Sequence, residues 1–338
     1  MNILIVRLGA LGDIVHAIPA AAALRRAFPD ARIDWLVEAK HRAIVDLVTV
    51  VDRVIAVDRA SWSGWTTAVR ALRMTRYDLA LDLQGLMKSA VLARASGAAR
   101  VVGFSIWHLR EKTARPFYSD VHEAEGGHVI SKNLRLLEAV GVHDGEIAFP
   151  IADVPSAALD ALRASIGDGT RFALINPGAA WPNKRWPPER FGEIAAFLRE
   201  ARGLTPVVLW GPGEEELARS VIAASGGAAV PAPPTSVADI LALARAASLM
   251  VSPDTMSDAG PLHLAAAAGT PTVSLFGPTD PVRNGPFRAE DAAVSHYDVC
   301  GCHYDRQCHE AVWCLGGVTT AEVCAAVQQR FANGSARG

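Results

Sequence analysis

Short apolar runs alternate along this chain with segments that suit helices, and this alternation constrains the fold more than any other feature. The first run, residues 3–6, is rich in β-branched side chains, as expected of a strand covered on both faces. An Ala-rich stretch that extends to Ala27 has the composition of a helix. Repeated strand–helix units predict a parallel, doubly wound sheet with right-handed crossovers. Further strands of the first half are predicted at residues 33–37, 53–57, 79–83 and 100–103.

The same alternation restarts after a short linker near residues 150–155, which lacks periodicity and is rich in small residues. We therefore predict an N-terminal Rossmann-like domain at residues 1–153 and a C-terminal one at residues 154–338. Two such sheets that face each other would form a cleft lined by the carboxyl ends of their strands. Strands of the second half are predicted at residues 172–176, 206–210, 249–252 and 272–276.

Composition excludes several classes of protein. Net charge is −2, so the chain as a whole is not a binder of polyanions, although residues 1–150 carry a small excess of basic side chains. That excess would suit an anionic acceptor or a membrane surface. No apolar run reaches the roughly 20 residues that span a bilayer, and the first residues do not resemble a secretion signal. We expect a cytoplasmic protein.

A glycine turn and a carboxylate follow the first predicted strand. Gly9 and Gly12 supply the turn, and Asp13 occupies a place where strand–turn–helix units often bind phosphate. A fixed negative charge there suits proton abstraction better than phosphate binding. A helix-capping role for Asp13 is the alternative.

Three similar junctions occur in the second half. Gly178 is followed by Lys184, a cation that could neutralise charge on a departing phosphate or could be a solvated loop charge. Residues 214–216 are acidic, and a carboxylate there could bind ribose hydroxyls or simply favour the helix dipole. Gly260 and Pro261 open a helix whose free N–H groups would suit a phosphate. Together these junctions predict a site for a nucleotide diphosphate.

Four motifs occur in order between residue 1 and about residue 279. They are residues 8–16 (LGALGDIVH), residues 82–90 (DLQGLMKSA), Pro177-Gly178 with Lys184-Arg185-Trp186, and Asp254-Thr255 with Gly260-Pro261-Leu262-His263. In combination they resemble the ADP-heptose:lipopolysaccharide heptosyltransferases, glycosyltransferase family nine. Residues 82–90 are most like the heptosyltransferase I type.

The resemblance implies the GT-B fold, in which two doubly wound Rossmann-like domains face each other across a cleft. It also implies an inverting transfer that needs no metal ion and no cofactor. In that family Asp13 would match the general base that deprotonates the acceptor, and Lys184 the cation at the donor phosphate and sugar. The donor-binding residues that it implies are Gly178, Glu215 at the ribose, Thr235 at the adenine, and Asp254, Thr255, Gly260 and His263 around the heptose and diphosphate.

The N-terminal half is expected to bind the acceptor. Its basic side chains could meet carboxylates or phosphates of that substrate. The candidate acceptor-binding residues are Gly12, Gln84, Lys88, Arg110 and Arg115.

Two features depart from the family pattern or stand apart from it. Residues 256–259 are inserted into what is otherwise a continuous Asp-Thr-Gly, beside Asp254 and Gly260. The tail is rich in cysteine but lacks the Cys-x-x-Cys pairs usual in metal sites, so reduced structural thiols are favoured over a zinc or iron site. The cysteines of this group are Cys300, Cys302, Cys308 and Cys314.

The sequence thus predicts transfer of L-glycero-D-manno-heptose from ADP-heptose to the Kdo sugar of the lipopolysaccharide inner core. Kdo-lipid A would be the acceptor, reached by peripheral contact with the cytoplasmic face of the inner membrane, and no nucleic acid would be bound. Four alternatives remain open: a different acceptor, as in a heptosyltransferase II-like enzyme; another nucleotide-sugar donor; a nucleotide-sugar-binding protein without catalysis; and a GT-B-fold epimerase.

Overall fold

The computed structural model describes residues 1–254, 260–310 and 313–335. The chain divides into two compact units, Met1–Ala152 and Asp153–Gly338. Among the helices of the described ranges, none is long and apolar enough to cross a membrane.

The N-terminal unit is built on a six-stranded parallel sheet. Its strands are β1 (Asn2–Val6), β2 (Arg32–Glu38), β3 (Arg53–Val57), β4 (Leu79–Asp82), β5 (Arg100–Phe104) and β6 (Asp120–His122). They lie in the order β3-β2-β1-β4-β5-β6. Ile3 in the central strand β1 pairs with Ile33 on one side and Leu79 on the other. Residues 3–6 are fully buried, which explains why they form a continuous apolar run.

Helices cover this first sheet: α1 (Leu11–Val15), α2 (Ile18–Ala27), α3 (Arg42–Val45), α4 (Trp62–Leu72), α5 (Met87–Ala95) and α6 (Val129–Leu136). The prediction of one helix up to Ala27 was wrong in one respect, because the structure has two helices there. The break falls at His16 and Ala17, and Pro19 lies in the first turn of α2, where its missing N–H costs nothing.

The C-terminal unit repeats the topology of the first. Its strands are β7 (Phe172–Ile175), β8 (Thr205–Val208), β9 (Val230–Pro231), β10 (Leu249–Pro253), β11 (Thr272–Phe276) and β12 (Ala292–Ser295). They lie in the order β12-β11-β10-β7-β8-β9, and every pair is parallel. The predicted pair of doubly wound parallel sheets is therefore confirmed.

Eight helices are described in the C-terminal unit: α7 (Ala157–Ile166), α8 (Pro188–Arg202), α9 (Glu215–Ala224), α10 (Val237–Ala246), α11 (Pro261–Ala268), α12 (Pro281–Asn284), α13 (Cys314–Gly317) and α14 (Thr320–Ser335). Local sequence sets several of their starts. Ser156 and Ser236 each accept a backbone N–H as the N-cap of α7 and α10, and Pro261 lies in the first turn of α11.

Each sheet has one point where the strand order reverses. In the N-terminal unit this point lies between β1 and β4, and in the C-terminal unit between β7 and β10. Chains leave the sheet in opposite directions there, so a crevice opens beyond the carboxyl ends of those strands. The side chains that follow these four strands are the first place to look for a ligand site in each unit.

Candidate active site

Asp13 lies beyond the carboxyl end of β1 and pairs with the arginine that follows that strand. Arg7 Nη2 is 2.9 Å from Asp13 Oδ2, and the Asp13 side chain keeps 29% of its surface exposed while that of Arg7 keeps 8%. The Arg7 guanidinium also donates to the carbonyl of Leu83, just after β4. The N-cap of α1 is Ala10, so Asp13 is held by a buried cation and does not occupy the cap position.

The loop after β4 is organised around a buried carboxylate, Asp82. Four donors surround it: the N–H groups of Gln84 (2.9 Å) and Gly85 (3.2 Å), and the hydroxyls of Ser89 (2.8 Å) and Tyr118 (2.7 Å). Burial raises the pKa of Asp82, and these hydrogen bonds oppose that rise. Asp82 therefore fixes the turn in which Gly85 adopts a φ of 70°.

Gln84 joins the two loops of this switch point. Its Oε1 accepts the N–H of Leu8 at 2.8 Å, so the chain after β4 is tied to the chain after β1. Gly12, predicted at the acceptor, lies buried in α1, where its carbonyl accepts the N–H of His16 at 2.9 Å.

A cluster of basic side chains lies beside this loop. Burial lowers the pKa of Lys88, and the positive charges of Arg59 and Arg110 lower it further. Arg59, which follows β3, also pairs with Glu38 at 2.9 Å. Of the three, Lys88 and Arg110 are among the residues predicted to bind the acceptor, and Arg59 is not; their role there stays a prediction. Arg115 donates instead to the carbonyl of Tyr118 at 3.3 Å.

In the C-terminal unit, a buried ion pair joins the two sides of the switch point. Lys184, in a short turn after β7, donates from Nζ to Asp254 Oδ2 at 2.9 Å, and the two side chains are 2% and 1% exposed. The Lys184 ammonium also lies 4.8 Å from the centre of the Trp181 ring. The alternative that Lys184 is a solvated loop charge is therefore wrong.

The Asp254 carboxylate is the hydrogen-bond acceptor at the centre of this group. Burial raises the pKa of its carboxyl, but Lys184 and His263 more than offset this, so its pKa lies below the usual range. The hydroxyl of Thr279 donates to the same oxygen. His263 itself lies in the first turn of α11 and is nearly buried.

Gly178 lies under a carboxylate of the neighbouring loop. The Glu214 carboxylate occupies the place that a Cβ at this position would take, so a side chain here would displace that carboxylate. Glu214 Oε2 also accepts the N–H of Gly211 at 3.0 Å. Asn176, at the end of β7, donates to the carbonyl of Gly178 at 3.2 Å and to Ser252 Oγ at 3.0 Å.

The other predicted donor residues lie at helix starts. Glu215 begins α9 with an exposed side chain, so Glu214 and not Glu215 is the carboxylate that contacts the Gly178 turn. Thr235 is half-buried and directly precedes the N-cap of α10, and Gly260 is the N-cap of α11. Thr255 and the insertion at residues 256–259 lie outside the described residues.

The cysteines of the tail come together in two pairs. Cys302 Sγ lies 3.0 Å from Cys308 Sγ, and Cys314 shares a hydrogen bond with Cys300. Burial and Cys300 raise the pKa of Cys314 to about 12. The assignment of these cysteines as reduced structural thiols stays a prediction.

The two units thus carry complementary chemistry. The N-terminal unit presents a partly exposed carboxylate, Asp13, with basic side chains on the same edge of its sheet. The C-terminal unit presents a glycine turn, a buried lysine and the N-terminus of α11, a set that suits an anionic leaving group. Residues of these types could serve the transfer of a group from a diphosphate donor to an acceptor hydroxyl.

Comparison with known proteins gives a consistent picture. Residues 65–313 match glycosyltransferase family 9 (heptosyltransferase). The chain is 31% identical to lipopolysaccharide heptosyltransferase 1 of Pseudomonas aeruginosa over 300 residues, which cover 85% of this chain and 81% of that protein. It is 30% identical to lipopolysaccharide heptosyltransferase 1 of Escherichia coli K12 over 295 residues, which cover 83% of this chain and 89% of that protein.

Solved structures agree with these sequence matches. The structure of E. coli heptosyltransferase WaaC with ADP superposes with a TM-score of 0.77 at 25% identity, covering 98% of this chain and 99% of that one. The predicted GT-B class is confirmed by this likeness and by the two parallel six-stranded sheets.

Proposed function

Because the chain belongs to glycosyltransferase family 9, we propose that this glycosyltransferase moves L-glycero-D-manno-heptose from ADP-heptose to the Kdo sugar of the lipopolysaccharide inner core, with inversion at the sugar carbon. Two relatives at 30–31% identity are named lipopolysaccharide heptosyltransferase 1, and a structure at 25% identity is a heptosyltransferase with ADP. The observation that carries the mechanism is the pairing of Asp13 with Arg7 at the end of β1.

Asp13 acts as the general base in this proposal. Arg7 binds Oδ2, and within the described residues no side chain engages Oδ1, so that oxygen is available to an acceptor hydroxyl. An inverting displacement needs one base to remove the hydroxyl proton as the oxygen attacks the sugar carbon. Because Arg7 is nearly buried and also bound to the Leu83 carbonyl, it holds the carboxylate in one orientation.

The C-terminal unit would bind the donor and stabilise the departing ADP. Lys184 supplies positive charge, and the backbone N–H groups that begin α11 at Gly260 suit a diphosphate. Asp254 fixes the lysine in place through the 2.9 Å hydrogen bond. The exposed Glu215 is assigned to the ribose, Thr235 to the adenine, and Gly178 and His263 to the same donor pocket.

The N-terminal unit would bind the acceptor through its basic cluster. Arg59 and Arg110 each lie within electrostatic range of Lys88, as do the carboxylates of Glu38 and Glu111. A carboxylate or phosphate placed beside Lys88 would offset the repulsion from the two arginines. Kdo carries a carboxylate and lipid A carries phosphates, so Kdo-lipid A at the cytoplasmic face of the inner membrane is the acceptor that fits this cluster.

The test is ADP release by the purified protein given ADP-heptose, with and without deacylated Kdo-lipid A. Acceptor-dependent ADP release and a heptosylated product support the proposal. Release only with an already heptosylated core would indicate a heptosyltransferase II-like acceptor. Donor binding without ADP release for any acceptor would overturn the proposed transfer in favour of a binding protein.

A further inference from the structure

An apolar groove runs between α4 and α5 on the surface of the N-terminal unit. Its volume is about 710 Å³, and its apolar lining comprises Trp62, Trp65, Val69, Met74, Val91 and Leu92. Trp62 is 84% exposed and Met74 is 78% exposed. Large apolar side chains exposed together in this way mark a surface that contacts a partner or a membrane.

Helix α4 carries more apolar side chains than it buries. The inner face of this helix is supplied by Ala68 and Leu72, which are buried. Trp65 and Val69, which are half-buried, widen this face, and Trp62 at the start of the helix extends it into solvent. Tryptophan is enriched at membrane–water interfaces, where its ring is apolar and its N–H can meet water or headgroups.

Arginines border the groove. Arg70 and Arg73 are both among its lining residues, and the lining contains no Asp or Glu. Arg73 Nε donates to the carbonyl of Ala95 at 3.1 Å, and within the described residues neither arginine forms an ion pair with a carboxylate. An apolar surface bordered by uncompensated arginines matches a bilayer with anionic headgroups.

The two helices that line the groove begin close in sequence to the basic cluster assigned to the acceptor. Helix α4 begins at Trp62, three residues after Arg59, and α5 begins at Met87, next to Lys88. Both helices therefore start at the edge of the sheet where the basic cluster lies. A lipid-borne acceptor would reach Asp13 from this edge, and this step rests on the proposed function.

We propose that the α4–α5 groove docks the N-terminal unit on an anionic lipid bilayer, with Trp62, Trp65 and Met74 in the interface and Arg70 and Arg73 against lipid phosphates. Docking would place the acceptor-binding edge at the membrane surface. It would also raise the local concentration of an acceptor that is confined to that surface.

Co-sedimentation of the full chain with phosphatidylcholine vesicles, with and without phosphatidylglycerol, tests the proposal. We expect binding that depends on phosphatidylglycerol and that falls about tenfold or more in Trp62→Ser/Met74→Ser, where apolar contact is lost. Arg70→Gln/Arg73→Gln should lose the dependence on phosphatidylglycerol. Val282→Ser and Arg163→Gln, exposed positions of the C-terminal unit, serve as matched controls that keep wild-type binding.

Activity separates docking from catalysis. Trp62→Ser/Met74→Ser should release ADP at the wild-type rate with the soluble deacylated acceptor and more slowly with acylated Kdo-lipid A embedded in vesicles. Wild-type vesicle binding in this variant would overturn the proposal. So would a wild-type dimer that the variant abolishes, because a second copy would then cover the groove. If no acceptor supports ADP release, the vesicle assay still decides the docking surface independently.

Discussion

Lys184 and Asp254 form a hydrogen-bonded ion pair of 2.9 Å that joins the turn after β7 to the end of β10, with both side chains almost wholly buried. The contact spans the switch point of the second sheet, so it shapes the same loops that are assigned to the donor. Lys184 could therefore have both a structural role and a catalytic role, and experiments must separate the two.

Lys184→Met should destabilise the C-terminal unit by about 3–5 kcal/mol, because it leaves the Asp254 carboxylate buried without its cation. The double variant Lys184→Met/Asp254→Asn should recover most of that stability, since the buried charge is gone. Neither variant should transfer heptose if Lys184 stabilises the departing ADP. Thermal unfolding and ADP release measure the two effects, and transfer by the double variant would leave Lys184 a purely structural residue.

The Lys184–Asp254 pair also makes the free energy of unfolding depend on pH in the acidic range. The pKa of Asp254 is held below its usual range in the folded protein, whereas in the unfolded chain it is about 3.9. Its ionised form therefore stabilises the fold fully above the unfolded pKa, and this contribution is lost as pH falls through the lower, folded pKa. The wild type should lose more stability below about pH 4 than Lys184→Met/Asp254→Asn. Equal slopes of unfolding free energy against pH would contradict this assignment.

Asp13→Asn should lower the rate of transfer by about 100- to 10,000-fold, the range expected for loss of a general base. Binding of ADP should stay within a few-fold of wild type, because Asp13 belongs to the N-terminal unit. Asp46→Asn, an exposed carboxylate of the same unit that pairs with Arg42, is the control. Calorimetry with ADP and a single-turnover rate measure both quantities. Loss of ADP binding in Asp13→Asn would make the residue structural.

The lowered pKa of Lys88 predicts that affinity for the acceptor falls at alkaline pH. Its pKa is lowered by burial and by Arg59 and Arg110, so it loses its charge at a lower pH than an ordinary lysine. The KM for an anionic acceptor should therefore rise as pH increases through that lowered pKa. Lys88→Arg should remove the rise, because a guanidinium stays charged. Lys112→Arg, on an exposed turn, should leave the wild-type profile unchanged. A KM for the acceptor that does not vary with pH in the wild type argues against contact with Lys88.

The sequence was most informative where strands are buried on both faces. Residues 3–6 form an apolar run because neither side of β1 meets water, and the same holds for β7 and β11. The edge strands β6, β9 and β12 were missed because they are short and partly exposed, and so lack such a run.

The candidate site was predicted only in part, for a physical reason. Asp13 and Lys184 lie within recognisable local patterns, glycine turns after strands. Arg7 and Arg59 were not among the predicted residues, because their contacts depend on partners far away in the sequence. Glu214 lies in the predicted acidic run at residues 214–216, but the resemblance pointed to Glu215, and only the shape of the turn brings Glu214 to Gly178. The contact of Arg7 with the Leu83 carbonyl, for example, forms only because β1 pairs with β4.

The role of Asp82 in fixing the turn after β4 can also be tested directly. It accepts hydrogen bonds from two backbone N–H groups and two hydroxyls, and an asparagine would place an NH₂ donor against one of those pairs. Asp82→Asn should therefore destabilise the N-terminal unit by about 1–3 kcal/mol. It should also weaken hydrogen-exchange protection at the amides of Gln84 and Gly85, whereas Asp120→Asn on the exposed edge of the sheet should not. Unchanged protection would mean that the turn after β4 holds its shape without this carboxylate, so Gln84 would be fixed by its bond to Leu8 alone.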